Sequence, residues 1–218
     1  MTASGIDPIE PYPVPTESEL PVQRAAWSAD PGRAVLLIHD MQEYFLRFFP
    51  AGREPLETVL RNAVRLREAC ADLGVPVVYT AQPGAMSPRQ RGLLAELWGP
   101  GMGAVEADRA IVPELAPKPG DRVLTKWRYS AFHRTPLADV LWQTGRDQLI
   151  VCGVFAHIGC LTSCVDAFSR DVQAFLAADA VADFSAEKHR LALAMAAESC
   201  AATPTTDRLL RALAEAAR

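Results

Sequence analysis

The sequence is short of several things, and each shortage excludes a class. It has five cysteines in 218 residues, too few and too scattered for a disulfide scaffold. Cys70, Cys152 and Cys200 stand in apolar surroundings and read as small core residues. Cys160 and Cys164 have helix spacing rather than Cys-x-x-Cys, and no second cysteine pair or closely spaced histidine pair joins them, which argues against structural zinc. Positive charge is not in excess: the formal net charge is -4, against the basic face of a general nucleic-acid binder. No apolar run approaches the roughly 20 residues of a membrane span. The opening MTASGIDPIEPYPVPTESELP lacks a basic start followed by an apolar core, so no secretory signal is expected and the predicted location is cytoplasmic. There is no internal repeat, low-complexity run or interdomain linker. The glycine-rich GPGMG (99–103) lacks a P-loop lysine and does not join a strand to a helix.

What remains is ordinary globular material, 50% hydrophobic and 22% charged. Residues 1–30 are proline-rich and aperiodic and read as an extended arm laid over the surface, with Tyr12, Leu20 and Trp27 as apolar anchors. Residues 31–218 read as one domain. Strands are expected at 34–38, 75–81, 122–127, 147–155 and 173–179, with a short sixth through 201–205. Helices are expected at 54–73, 88–97, 135–145, 158–171, 185–201 and 205–218. Thr135 suits the N-cap of the third of these, with Pro136 at its first position. Ser185-x-x-Lys188 is a near-miss of a capping box. This order makes an α/β fold with a parallel sheet and right-handed crossovers, and active sites in such folds lie beyond the carboxyl ends of the strands.

That rule yields a short set of residues. The first strand runs into His39-Asp40-Met41-Gln42, the second into Thr80-Ala81-Gln82, the third into Lys126-Trp127-Arg128-Tyr129 and the fourth into Phe155-Ala156-His157-Ile158-Gly159-Cys160. Alone, Asp40 would be a helix cap and Lys126 a solvated charge; together at the ends of buried strands they make a pair that sets a pKa. For His39 and His157 the preferred reading is a core histidine bonded to backbone.

At these residues the chain resembles the isochorismatase-like hydrolase superfamily. The likeness rests on RAVLLIHDMQEYF (33–45), VYTAQPG (78–84), RGLLAELWGPGM (91–102), LTKWRYSAFHRTPL (124–137), GVFAHIGCLTS (153–163) and DAVADFS (179–185). Within the superfamily it is similar to the isochorismatases of phenazine and siderophore pathways, the phenazine type most of all. The resemblance implies a Rossmann-like three-layer α/β/α domain with a six-stranded, mostly parallel sheet, a homodimer, and a cis peptide at Val154–Phe155. Siderophore enzymes of this kind often carry a C-terminal carrier domain, and this chain is expected to lack one.

Most of the superfamily are cysteine hydrolases whose nucleophile opens the helix after the fourth strand. The resemblance puts Gly159 at that position; Cys160, one residue on, points about 100° away around the helix. Both Cys160 and Cys164 are then packing residues, as the thiol-free isochorismatases imply. The implied substrate is a small dianion, an enolpyruvyl ether on a cyclohexadiene acid, whose hydrolysis needs a proton rather than a nucleophile. Asp40 is the implied general acid and Lys126 its catalytic partner, with Gln82, Arg91, Trp98, Tyr129, Phe155 and Gly159 around the substrate. Lys126, Arg91 and Arg128 supply local positive charge, and the backbone N–H groups near Gly159 are expected to add anion-binding donors. No metal, organic cofactor, nucleic acid or membrane is implied. Relatives read GVYAHIG where this chain has GVFAHIG, so Phe155 lacks a phenol and one hydrogen bond worth roughly 0.5–1.5 kcal/mol. The expected reaction is cleavage of 2-amino-2-deoxyisochorismate to trans-2,3-dihydro-3-hydroxyanthranilate and pyruvate. The alternatives are isochorismate hydrolysis for siderophore synthesis, a thiol amidase using Cys160, and a non-catalytic pathway binding partner.

Overall fold

The computed structural model describes residues 5–218. Six strands form one sheet: β1 (Ala34–His39), β2 (Val77–Ala81), β3 (Arg122–Thr125), β4 (Gln148–Val154), β5 (Gln173–Ala182) and β6 (Ala201–Ala202), in the spatial order β3-β2-β1-β4-β5-β6. Every neighbouring pair is parallel, so the sheet is wholly rather than mostly so. The chain builds outward from β1 to β3 and then crosses to β4 on the other side of β1. The crevice beyond β1 and β4 is therefore the topological switch point, where open parallel sheets bind ligands.

All six residues of β1 are buried, and their alternation divides them between two faces. Leu36 and Ile38 join the core under α2 (Leu56–Asp72) and α9 (Thr206–Ala216), where Val59, Ala63, Leu66, Leu209 and Leu213 meet them. Val35 and Leu37 join the core under α6 (Leu137–Gln143), α7 (Leu161–Phe168) and α8 (Ala186–Ser199). Two cores on one sheet make the expected three layers.

The arm lies on its own chain. Ile6, Ile9 and Tyr12 are buried in the first core. The Tyr12 hydroxyl donates to the Asp183 carbonyl at 3.1 Å and accepts from the Asp183 amide at 2.7 Å. Trp27 packs edge-on to Phe175, and Leu20 leans against the second core.

Several boundaries differ from the sequence expectation. The helix over 88–97 divides into α3 (Pro88–Arg91) and α4 (Leu94–Trp98) because Gly92 turns to φ 51°, with the Arg128 guanidinium 2.8 Å from where a Cβ would stand. The helix after β4 begins as one π turn over Ala156–Cys160 before α7. β5 runs on to Ala182, so DAVADFS starts inside the sheet, and the sixth strand shrinks to two residues. Strand β3 ends at Thr125, leaving Lys126 free to turn inward. Helix α6 starts at Leu137 with Pro136 at its N-cap, although the Thr135 hydroxyl still accepts from the Leu137 amide at 3.3 Å. Ser185 caps α8, its hydroxyl accepting from the Lys188 amide. The Val154–Phe155 peptide is cis.

Candidate active site

A cleft opens at the switch point. Asp40 follows β1 with φ 51°, and its amide donates to the Thr80 carbonyl (3.2 Å) and hydroxyl (3.1 Å) across the β1–β2 ladder. The side chain is 6% exposed. Its Oδ1 accepts from the Thr80 hydroxyl at 2.6 Å, and its Oδ2 from Lys126 Nζ at 2.9 Å and Gln82 Nε2 at 3.3 Å. Burial pushes the carboxyl up, but the Lys126 ammonium and the hydrogen bond from the Thr80 hydroxyl more than offset this and hold it below the usual carboxylate range.

Gln82 is fixed by Gln42, a fully buried residue whose Oε1 accepts from the Gln82 amide and whose Nε2 donates to the Gln82 and Arg109 carbonyls. Arg91 is 7% exposed; its Nε donates to the Gly99 carbonyl and its Nη1 reaches Gln82 Oε1 at 3.5 Å. Gly101, at φ 77°, makes room for it: a Cβ there would stand 2.7 Å from the guanidinium carbon. Trp98 Nε1 donates to the Tyr129 hydroxyl at 2.8 Å and so ties α4 to the segment after β3. Phe155 stacks on Phe49 and meets Phe184 at 4.3 Å between centroids, giving one apolar wall. Lys126, Arg91 and Arg128 line the cleft with Asp40 as its only carboxylate among the described residues, so the interior is cationic in an acidic chain.

Gly159 decides what the site cannot do. It lines the cleft, and a Cβ on it would stand 2.1 Å from Cε1 and 2.6 Å from Nε2 of His39. The imidazole occupies the space that any side chain at 159 would need. His39 is fully buried and bonded through Nδ1 to the Val154 carbonyl at 2.6 Å, the backbone role expected for it. Burial pulls its pKa down to about 4, so the ring is neutral. Cys160 and Cys164 are fully buried in the second core, away from the cleft, and burial pushes both thiols well up. Neither can present a thiolate to a ligand.

All eight site residues expected from the sequence line this one cleft: Asp40, Gln82, Arg91, Trp98, Lys126, Tyr129, Phe155 and Gly159. Two other expectations fail. The amides of Ile158, Gly159 and Cys160 all donate to the Phe155 carbonyl and that of His157 to Asp183, so these donors are spent within the chain. His157 is not a core histidine on backbone; it is half-buried, with Nδ1 2.7 Å from the buried Asp183 carboxylate. The sequence reading gave no role to Thr80, Gln42, Ile6, Phe45 or Phe184. Thr80 and Gln42 stand at strand ends and could have been found by asking what holds Asp40 and Gln82; Ile6, in the aperiodic arm, carried no such signal.

Comparison with known proteins gives the family and the fold. The Isochorismatase domain matches residues 34–208. The chain belongs to the isochorismatase family. It is 56% identical over 207 residues to phenazine biosynthesis protein PhzD of Pseudomonas fluorescens, covering 95% of this chain and 99% of that one. It is 52% identical over 212 residues to an isochorismatase of Bacillus subtilis, covering 97% of this chain and 68% of that one. Among solved structures, a cysteine hydrolase from Pseudomonas syringae superposes with a TM-score of 0.81 at 25% identity, covering 90% of this chain and 98% of that one. This chain shares the scaffold of that hydrolase while Gly159 and His39 leave no room for a nucleophile at 159.

Proposed function

We propose that this isochorismatase-family hydrolase cleaves the vinyl ether of 2-amino-2-deoxyisochorismate, releasing pyruvate and trans-2,3-dihydro-3-hydroxyanthranilate, with Asp40 as general acid. The observation that carries the reading is a lone buried carboxyl in a cationic, aromatic-walled cleft where no side chain can stand at position 159. Such a site suits a dianion whose hydrolysis begins with a proton. Asp40 delivers that proton to the terminal methylene carbon of the enolpyruvyl arm. The resulting oxocarbenium ion takes up water and loses a proton to give a hemiketal. The hemiketal then breaks its bond to the ring oxygen, and the ring product leaves as an alcohol beside pyruvate. Water supplies the proton and the hydroxyl, so Asp40 ends as it began.

At rest Asp40 is held ionised by Lys126. A ligand carboxylate that pairs with Lys126 removes that attraction and adds a like charge, and both changes raise the acid. Binding the dianion thereby prepares Asp40 to hold the proton that it gives up. Likeness to the phenazine protein favours the amino substrate; likeness to the Bacillus isochorismatase supports isochorismate itself as the second reading. The bond broken lies away from the ring 2-position, so one acid serves either compound. Pyruvate release from the two compounds, with wild type and Asp40→Asn, tests the proposal. Loss of about 10²–10⁴-fold in the variant is expected. No pyruvate from either compound with the wild type, or a variant within a few fold of it, refutes the reading.

A further inference from the structure

Asp40 has two oxygens in different surroundings, and only one of them can carry the proton that matters. We propose that Thr80 is a positioning residue that ties up Oδ1 of Asp40 and so reserves Oδ2 as the proton-bearing oxygen. The inference rests on Asp40 being the general acid.

Thr80 is fully buried in β2 opposite His39, and it does not line the cleft. Its hydroxyl makes two contacts with one residue. Its oxygen accepts from the Asp40 amide at 3.1 Å, and it stands 2.6 Å from Oδ1. The amide can only donate, so the hydroxyl proton must point at Oδ1. A proton on Oδ1 would face that donor head-on. On the other side Oδ2 meets Lys126 Nζ and Gln82 Nε2, both cleft residues, and Lys126 is the group a ligand carboxylate would draw away. The geometry therefore gives Asp40 a fixed rear oxygen and a front oxygen that becomes free when the ligand arrives. The same pair of contacts pins the carboxylate in the left-handed backbone conformation of residue 40.

The groups that face Asp40 are few. His39 from β1 stands with Nδ1 4.0 Å from Oδ1 and is neutral. Thr80 and Gln82 come from β2 and its end and Lys126 from the end of β3, while the buried, neutral Cys160 thiol of the π turn after β4 is near enough to feel the carboxylate's charge. Arg91 reaches the carboxylate only through Gln82. Of the side chains hydrogen-bonded to the carboxylate, only Thr80 can be removed without touching the cleft lining or a formal charge.

The test is the pH dependence of turnover, read as pyruvate release, for Thr80→Val and Thr80→Ser. Valine keeps the β-branched shape without the donor; serine keeps the donor. A general acid loses activity as pH rises through its own pKa, and removing a donor to the carboxylate raises that pKa. In Thr80→Val the falling limb should move to higher pH, kcat on the plateau should drop about tenfold, and KM should stay within about twofold. Thr80→Ser should return both limb and plateau to the wild-type position. If Thr80→Val gives no soluble protein, Thr80→Ala reads the same limb. Superimposed limbs for wild type and the hydroxyl-free variant overturn the proposal, as does a serine variant shifted as far as valine. Asp40→Asn separates the two readings: an active Asp40→Asn removes the general acid itself, whereas an inactive one with an unmoved Thr80→Val limb removes only the role of Thr80.

Discussion

Adding one methyl group at position 159 should damage this site more than removing either nearby thiol. The Cβ of Gly159→Ala would lie 2.1 Å from His39 Cε1, where carbon atoms normally rest about 3.5–4.0 Å apart. No flexible side-chain end is there to supply the missing ~1.5 Å. It must come from the imidazole, which is fully buried and held at Nδ1 by Val154. Overpacking of this kind costs about 1–3 kcal/mol, and in a chain of this size each kcal/mol lowers Tm by about 2–4 °C. Because His39 adjoins Asp40, a displaced ring also moves the acid, and we expect turnover to fall at least about tenfold. Gly159→Cys carries the same Cβ and should be as damaged, with no gain of thiol chemistry. The assays are thermal melting and pyruvate release. A double-mutant cycle with His39→Ala isolates the clash, since in that background Gly159→Ala has space and should cost little beyond what His39→Ala costs. A Gly159→Ala protein that melts within a degree of wild type and turns over within twofold would refute the argument.

Other perturbations bear on other parts of the site. Cys160→Ala and Cys164→Ala should each keep turnover within a few fold while losing about 1 kcal/mol of stability from the small voids they leave, and a covalent substrate adduct at either thiol would contradict this. Arg91→Gln should raise KM about 10–100-fold with kcat less affected, because it removes a buried cation from the binding of a dianion; an unchanged KM would free Arg91 of that role. Stability should fall on mild acidification. Unfolded, His39 takes a proton near 6.5, but folded it does so only near 4, so its contribution of ~3 kcal/mol is intact above 6.5 and is lost as pH falls toward 4. His189, also pulled down by burial, acts in the same sense. A melting temperature that stays flat from pH 6.5 to 4.5 would count against it.

The strands were legible because a strand buried on both faces has to be apolar throughout, and AVLLI and LIVCGV are. Their ends were legible for the same reason: a polar residue directly after such a run is either at the rim or expensively buried. That logic found Asp40 and Gln82; Lys126 follows β3, an edge strand exposed at three of its four residues, and was marked only by standing at a strand end. What it could not reach depends on where backbone groups point. The amides after β4 look from sequence like open donors, yet the π turn aims three of them at the Phe155 carbonyl. The division of 88–97 turns on Gly92 meeting Arg128, a contact 36 residues away in sequence. His157 pairs with Asp183, just past a strand that runs three residues beyond its sequence-expected end.

The pairing of Gly159 with His39 also bears on how one scaffold can host chemistry with and without a nucleophile. The lack of a side chain at Gly159 would, by itself, leave a void near a buried carboxylate. Water in that void would solvate Asp40 and weaken its coupling to Lys126, while an empty void would forfeit packing against the end of β1. In this chain the imidazole fills the space, and it does so with a neutral ring whose own proton is committed to Val154. The imidazole thus fills that side of the acid without adding a charge of its own beside Lys126. Gly159 in the π turn and His39 at the end of β1 therefore act as one structural unit. The fold fixes where the site lies, while those two residues decide whether it can work by addition to a thiol or only by transfer of a proton.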